Sequence, residues 1–455
     1  MSTPSRRDSK QPQKTVSART MLVVQALFLG SLLAAWICTT GSDRRSLAAA
    51  ALSRPYPLEA FPKADVAAVV TPLYNQPDLV SDQQLATVIK KLIPRFSRSH
   101  LRPNLIEHAL RTWGGQVRFN NPDAISGPKM VEFLTDSARH LESWDNKAKP
   151  LLEDTPEGIH VRFGEDSASS VHHDHALAAL TEAGIPLSSN VFTTRRALQL
   201  KHVLGESLRD FRLDEGETEW SSLCFALWLG PDGLQQWHNG GGRLVTFDML
   251  VERLVRNHKR MGVCQGTHRI YTLMAMLRIN EEQQGKLLSP ASVSMAEKWL
   301  MEVRDLIAAS QFPDGSWNPG WCYGSDYQLH IDPQEKISKR VIATGHHLEW
   351  MSIAPEKFHI PKEQIHKAAQ WLLTNVENTP QSEIDQNYTF YSHVAKALAM
   401  WRKTSPAEFW TSYRENHPDA ETFDAPATPP APPTGPGGAA PGPARAGPRS
   451  ATPGA

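Results

Sequence analysis

The most regular pattern of apolar and polar positions runs from Ser289 to Trp317. Ser289-Pro290 has the form of an N-cap followed by a first-turn proline. Met295, Trp299, Val303, Leu306 and Ile307 then recur at helical spacing, which predicts one long amphipathic helix. Gln311-Phe-Pro-Asp-Gly-Ser-Trp317 closes it, because proline and glycine do not continue a helix there. Three- and four-residue intervals also predict helices over Asp82–Phe96, Leu105–Trp113 and Pro128–Trp144. Phe247–His258, Met295–Ala309 and Lys362–Val376 read as helices that keep one wet face. Strand-like alternation is confined to Ile159-His-Val-Arg-Phe163.

Four segments share a further pattern: a histidine near an expected helix start, with apolar residues two and five positions later. They are His175-Ala-Leu-Ala-Ala-Leu, His268-Arg-Ile-Tyr-Thr-Leu, His346-His-Leu-Glu-Trp-Met and His393-Val-Ala-Lys-Ala-Leu. Small and apolar residues crowd Thr272–Ile279 and Ala395–Trp401, as expected of helices with neighbours on most sides. Lys362-Glu-Gln-Ile-His-Lys suits an outer helix. Helix pairs repeating every few tens of residues signal a solenoid or its closed form. The spacing is irregular, and a plain helical bundle is the rival architecture. In a closed ring, the histidines either face a common central space or bridge helix ends through hydrogen bonds.

The ends of the chain differ from this body. Residues 1–20 carry Arg6, Arg7, Lys10, Lys14 and Arg19 and precede an apolar run within 21–40. That run is long enough to span a hydrocarbon core of about 30 Å. The preceding charge predicts a signal-anchor with a cytoplasmic N-terminus and an extracytoplasmic main domain, periplasmic in a bacterium. A cleaved signal peptide is the alternative, with small residues at Ala48–Ala51. A lipoprotein fits poorly, since Ala35-Trp-Ile37 is bulky beside Cys38. Residues 41–80 read as a linker punctuated by Pro55, Pro57, Pro62 and Pro72, and 81–415 as one all-α domain. Residues 416–455 are rich in Pro, Ala and Gly and are expected to be disordered, because they cannot bury enough apolar surface.

Forty-eight basic side chains balance 48 acidic ones, so no nucleic-acid partner is indicated. The four cysteines (Cys38, Cys224, Cys264 and Cys322) form no CxxC pair, and one disulfide among the last three is compatible with an oxidising compartment.

Gln311, Gly315 and Trp317, set after an apolar helix, resemble the QW motif of the terpenoid cyclases, whose α/α-toroid fold is shared by protein prenyltransferase β subunits. The resemblance covers about thirty residues and implies an α/α toroid of helix hairpins. Prenyltransferase β subunits hold zinc with Asp, Cys and His. Here Cys264, His268, Cys322, Asp326 and His346 are the corresponding residue types, although the family's Asp-x-Cys order is missing. Zinc favours such donors, and unrelated polar loop residues are the alternative. His172, His173 and His175 form a second histidine cluster. The Asp-x-Asp-Asp run that protonates alkenes in squalene-hopene-type cyclases is absent, as is the diphosphate-ionising Asp-Asp-x-x-Asp run. Cyclase activity is therefore not expected. The first functional expectation is a toroid that binds a lipid, glycan or protein. The second is an enzyme of the cyclase or prenyltransferase type with a Cys/His/Asp metal site. A third is a glycan-cleaving enzyme using two carboxylates from Glu215, Glu217 and Glu349. No Walker A loop, GxGxxG, Gly-x-Ser-x-Gly or HExxH occurs.

Overall fold

The structure is a computed structural model that describes residues 17–38, 58, 61–256, 259, 261–332 and 334–421. The basic segment before Ser17, much of the 41–80 segment and the chain beyond Glu421 lie outside the described residues. Helix α1 (Ala18–Cys38) is long and apolar enough to cross a membrane, and none of its residues is buried against protein. Anchors and signal sequences share that length and composition.

The domain that follows is mostly helical. Its helices are α2 (Asp82–Lys91), α3 (Pro103–Trp113), α4 (Gly127–Thr135), α5 (Ser137–Ser143), α6 (His175–Glu182), α7 (Leu200–Asp210), α8 (Glu219–Leu229), α9 (Phe247–Arg256), α10 (Thr267–Glu282), α11 (Pro290–Ser310), α12 (Ile337–Ile353), α13 (Lys362–Asn378), α14 (Gln381–Gln386), α15 (Tyr388–Trp401) and α16 (Pro406–Asn416). Among the described residues, three antiparallel hairpins of three-residue strands are inserted: β1 (Leu152–Asp154) with β2 (Ile159–Val161), β3 (Asn190–Phe192) with β4 (Ala197–Gln199), and β5 (Gln236–His238) with β6 (Leu244–Thr246). Only the strand β2 was foreshadowed by sequence alternation, since three residues are too few to show a period.

Six helices close on one another. Helix α3 packs on α6, α6 on α8, α8 on α10, α10 on α12, α12 on α15, and α15 returns to α3. Their composition explains this position. Every residue of α8 is buried, and Ala176, Ala178, Ala179, Ala395, Ala397 and Ala399 let neighbouring backbones approach. Helices α9, α11 and α13 lie against this set and keep an exposed face.

Helix α11 is capped by Ser289, whose side chain accepts from Ser292 N. Its buried stripe is Ala296, Trp299, Leu300, Val303 and Ile307, whereas Met295 is exposed. After its end, Gln311 Nε2 donates to Gly315 O and Gln364 O, each at 2.8 Å. Gln364 Nε2 donates back to Ala308 O at 2.9 Å, so α11 and α13 are tied end to start. Trp317 Nε1 donates to Ile307 O at 2.8 Å. Gly315 has φ +99°, and an added Cβ would meet the Lys367 backbone at 2.5 Å.

Several boundaries differ from the sequence expectation. The segment 128–144 is two helices, broken at Asp136, whose extended backbone lets its side chain cap α5 at Ala138 N. Helix α2 stops at Lys91, because the approach to Pro94 disfavours helix. Of the four repeated histidines, His175 and His268 open their helices, but His346 and His393 lie well inside α12 and α15.

Part of the expected linker is an ordered strap. Ala68 N donates to Leu227 O, Leu73 N to Ser352 O and Gln76 N to Trp401 O. These carbonyls belong to the last turns of α8, α12 and α15, where no intrahelical donor exists. The strap supplies the missing donors and places the three helix ends on one side. The folded chain also runs past 416: Glu421 is buried and accepts from Trp410 Nε1 at 2.8 Å and Arg414 Nη1 at 2.6 Å.

Candidate metal centre

The six central helices place polar side chains in two layers. The first holds His108 (α3), His175 (α6), Trp220 (α8), His268 (α10), His346 (α12) and His393 (α15). Ring centroids lie 4.9 Å apart for His108 and His175, 4.5 Å for His175 and Trp220, and 4.2 Å for Trp220 and His268. The circuit continues with 4.4 Å for His268 and His346, 3.8 Å for His346 and His393, and 5.3 Å for His393 and His108. The four histidine segments noted in the sequence thus converge, and a fifth histidine joins them.

One helical turn later comes the second layer: Arg111, Tyr271, Glu349 and Lys396, each three residues after a first-layer histidine. Glu182 at the end of α6 completes it. Arg111 Nε lies 2.5 Å from Glu182 Oε2, and its guanidinium covers the Trp220 ring at 4.6 Å. Lys396 Nζ bridges Glu182 at 2.8 Å and Glu349 at 3.1 Å. Two cations and two carboxylates balance in a buried site.

The local electrostatics follow. Burial pushes His108, His175, His268, His346 and His393 below the usual imidazole range, so the rings are neutral. Burial opposes ionisation of Glu182, but Arg111 and Lys396 outweigh it and hold the carboxyl down at about 2. Burial also opposes ionisation of Glu349. Lys396, His346 and His393 prevail and keep it well below its ordinary value.

Cys264, His268 and His346 each offer one donor atom within 4.8 Å of the others, and so do His346, Glu349 and His393. Glu349 Oε2 lies 3.3 Å from His346 Nδ1 and 3.0 Å from His393 Nδ1. The opposite nitrogens, Nε2 of His268, His346 and His393, are buried without a hydrogen-bond partner. A carboxylate behind Nδ1 with a free Nε2 in front is the usual support for a histidine metal ligand. Cys264 is delivered by a strained loop. Gly262 and Gly266 have φ of +100° and +83°, and between them Cys264 and Gln265 also have positive φ, 48° and 60°. Side-chain-bearing residues rarely hold that conformation, and such strain concentrates at functional sites. Burial pushes the Cys264 thiol up to about 12, and a metal ion would deprotonate it.

Of the five residues expected to hold metal, three are brought together. Cys322 is buried in the turn after α11 and Asp326 is exposed. Neither joins a donor group among the described residues. None of the cysteines Cys38, Cys224, Cys264 and Cys322 forms a disulfide. His172 and His173 belong to a separate cluster. His172 Nδ1 lies 2.6 Å from Glu217, and His173 Nδ1 lies 2.8 Å from Glu215. Glu215 and Glu217 are therefore engaged apart from Glu349. His175 instead joins the axial layer, with Nδ1 2.7 Å from Glu107.

His108, Arg111, Glu182, Tyr271 and Lys396 were missed in the sequence. His108 fits the repeat template, with Leu110 and Trp113 two and five positions on. The polar residue three after each of His108, His268, His346 and His393 was a second available signal. Compared with family models, curated proteins and solved structures, the chain matches none of them.

Proposed function

We propose that this chain is a membrane-anchored, extracytoplasmic zinc protein. In this reading the six central helices and their outer partners form an α/α toroid like that of the cyclases and prenyltransferase β subunits, and the metal lies on its axis. Cys264, His268 and His346 are the proposed protein ligands, with His393 beside them and Glu349 orienting two of the imidazoles. The observations that carry this are the buried, unpartnered Nε2 atoms of His268, His346 and His393 and the thiol of Cys264, which strained backbone delivers to within 4.8 Å of a donor atom of His268 and of His346. Leaving such atoms unsatisfied costs about 1–3 kcal/mol each, and a metal ion removes that cost. Three protein donors also leave zinc a fourth position for water or ligand.

Glu182 and Glu349 are unsuited to the acid role in two rival chemistries, whereas Glu107, whose carboxyl burial pushes up to about 7, is compatible with it. Alkene protonation needs a strong acid, and glycoside cleavage needs a carboxylic acid that keeps its proton near neutrality. Glu182 and Glu349 are held ionised by Arg111, Lys396 and the histidines. A binding or metal-assisted role suits them better.

The test uses the full chain made in a bacterial host. It is expected to stay with membranes through an alkaline carbonate wash, which supports the anchor. After extraction, metal analysis is expected to give about one zinc per chain, and Cys264→Ser with His346→Ala is expected to lose it. Trace zinc in the unaltered protein refutes the metal centre, and release by carbonate refutes the anchor.

A further inference from the structure

One buried carboxyl near the axis has no part in the metal centre. Glu107 on α3 is fully buried, and its Oε2 lies 2.7 Å from Nδ1 of the equally buried His175 on α6. The far ends of this pair are unspent: Glu107 Oε1 and His175 Nε2 are buried without a hydrogen-bond partner. The His175 ring sits in the axial layer between His108 and Trp220. From the segment before α6, Ser170 and His172 also face Glu107. His172 is 24 % exposed, and its ring centroid is 5.9 Å from that of His175, so the pair is one residue from the surface. Charged groups on the other helices packed against α3 are committed elsewhere. Lys129 and Glu132 of α4 pair with each other, Lys396 and His393 of α15 meet Glu349, and Arg414 of α16 meets Glu421. Glu408 caps its own helix, and Glu415 is exposed. Arg111, one turn along α3, is held by Glu182. Among the described residues no lysine or arginine pairs with Glu107, and burial pushes its carboxyl up to about 7.

We infer that Glu107 and His175 form a proton-exchange pair for the axial site, with Glu107 as the store and His175 Nε2 as the outlet. When Glu107 holds the proton, its O–H donates to Nδ1, and His175 carries its own proton on Nε2. Discharge breaks Oε2–H and forms Nδ1–H, while Nε2–H breaks and its proton passes to a water or basic ligand on the axis. Glu107 is left as a carboxylate that accepts from Nδ1–H, and the ring is neutral before and after. The same steps in reverse take a proton from the axis. Such exchange works best in a group that loses its proton near the working pH, and a carboxyl kept neutral by burial can donate there. Glu107 acts through His175 and so positions the proton rather than meeting the axis itself. The inference rests on the proposed metal centre only for what occupies the axis, and the pair is built from protein alone.

NMR of the imidazole nitrogens in the full chain, histidine-labelled and held in lipid nanodiscs, tests it. The two states differ in which His175 nitrogen carries the proton. In chelator-treated protein, His175 is expected to change from the Nε2–H to the Nδ1–H form as pH rises through about 7. A carboxylic-acid band in the infrared spectrum is expected to vanish over the same range. Glu107→Gln is expected to lose that band and to fix His175 in one form at every pH, and Glu107→Asp, which keeps an acid, to restore the change. The resonance is assigned by its loss in His175→Gln. If these variants do not fold, the parent still decides, through a histidine that changes form in step with the loss of a buried acid. A His175 form that does not vary with pH, or a change that survives in Glu107→Gln, overturns the inference. Zinc uptake is then measured on the same samples. The change in protein that takes up no zinc leaves this inference standing and removes the metal centre, and zinc uptake without the change does the reverse.

Discussion

Replacing Glu182 by glutamine tests the buried ion-pair layer directly. The carboxylate faces Arg111 Nε at 2.5 Å, Lys396 Nζ at 2.8 Å and Tyr271 Oη at 3.3 Å, and its side chain is only 10 % exposed. Glutamine keeps the shape and some hydrogen bonding but removes the charge. Arg111 and Lys396 are then left with Glu349 alone. Holding Glu182 at about 2 instead of its ordinary 4.5 corresponds to about 3 kcal/mol of stability at neutral pH. Removing one partner of a buried ion pair costs about 3–5 kcal/mol in comparable cases, so the two routes agree in magnitude. The pH dependence has a definite sign. A carboxyl whose folded value is depressed stabilises fully above its unfolded value, and that contribution disappears as pH falls from 4.5 toward 2. Urea unfolding of the two proteins is expected to show a gap of about 3 kcal/mol at pH 7. The gap is expected to narrow steadily below about pH 5. A gap under about 0.5 kcal/mol at neutral pH, the range of an ordinary surface change, or one that does not vary with pH, refutes the account.

Two further predictions concern the scaffold. His173 is opposed by burial, but Asp174, Asp210 and Glu215 push it up to about 11 from its ordinary 6.5. Its contribution is therefore complete below pH 6.5 and fades as pH rises toward 11. Melting curves are expected to show parent and His173→Gln converging across that window, and a constant difference would contradict the ion-pair assignment. Gly315→Ala places a side chain at φ +99° against the Lys367 backbone and is expected to cost about 1–3 kcal/mol. An unchanged urea midpoint would mean that the turn between α11 and α13 is not held as described.

The sequence by itself determined the local elements. The 3.6-residue period marked α11, α13 and α3, and Ser289 and Pro290 set the start of α11 because capping depends only on the residues at a helix end. The unbroken apolar run that became α1 is equally local. Adjacent signals limited that reading: the periodic stretch 128–144 concealed the break at Asp136, and a polar, proline-marked strap looked like a linker. Its role depends on orphan carbonyls at the ends of α8, α12 and α15, which are distant in the chain. The axial site was half legible. The recurring histidines announced it, since the same packing environment repeats on each central helix. Tertiary structure alone decided which donors meet. Cys264 reaches His268 and His346 through a strained loop, Cys322 and Asp326 are left aside, and Glu182 finds Arg111 and Lys396 across 71 and 214 residues of chain. Through-space charge and burial create those partnerships, and no spacing along the chain encodes them.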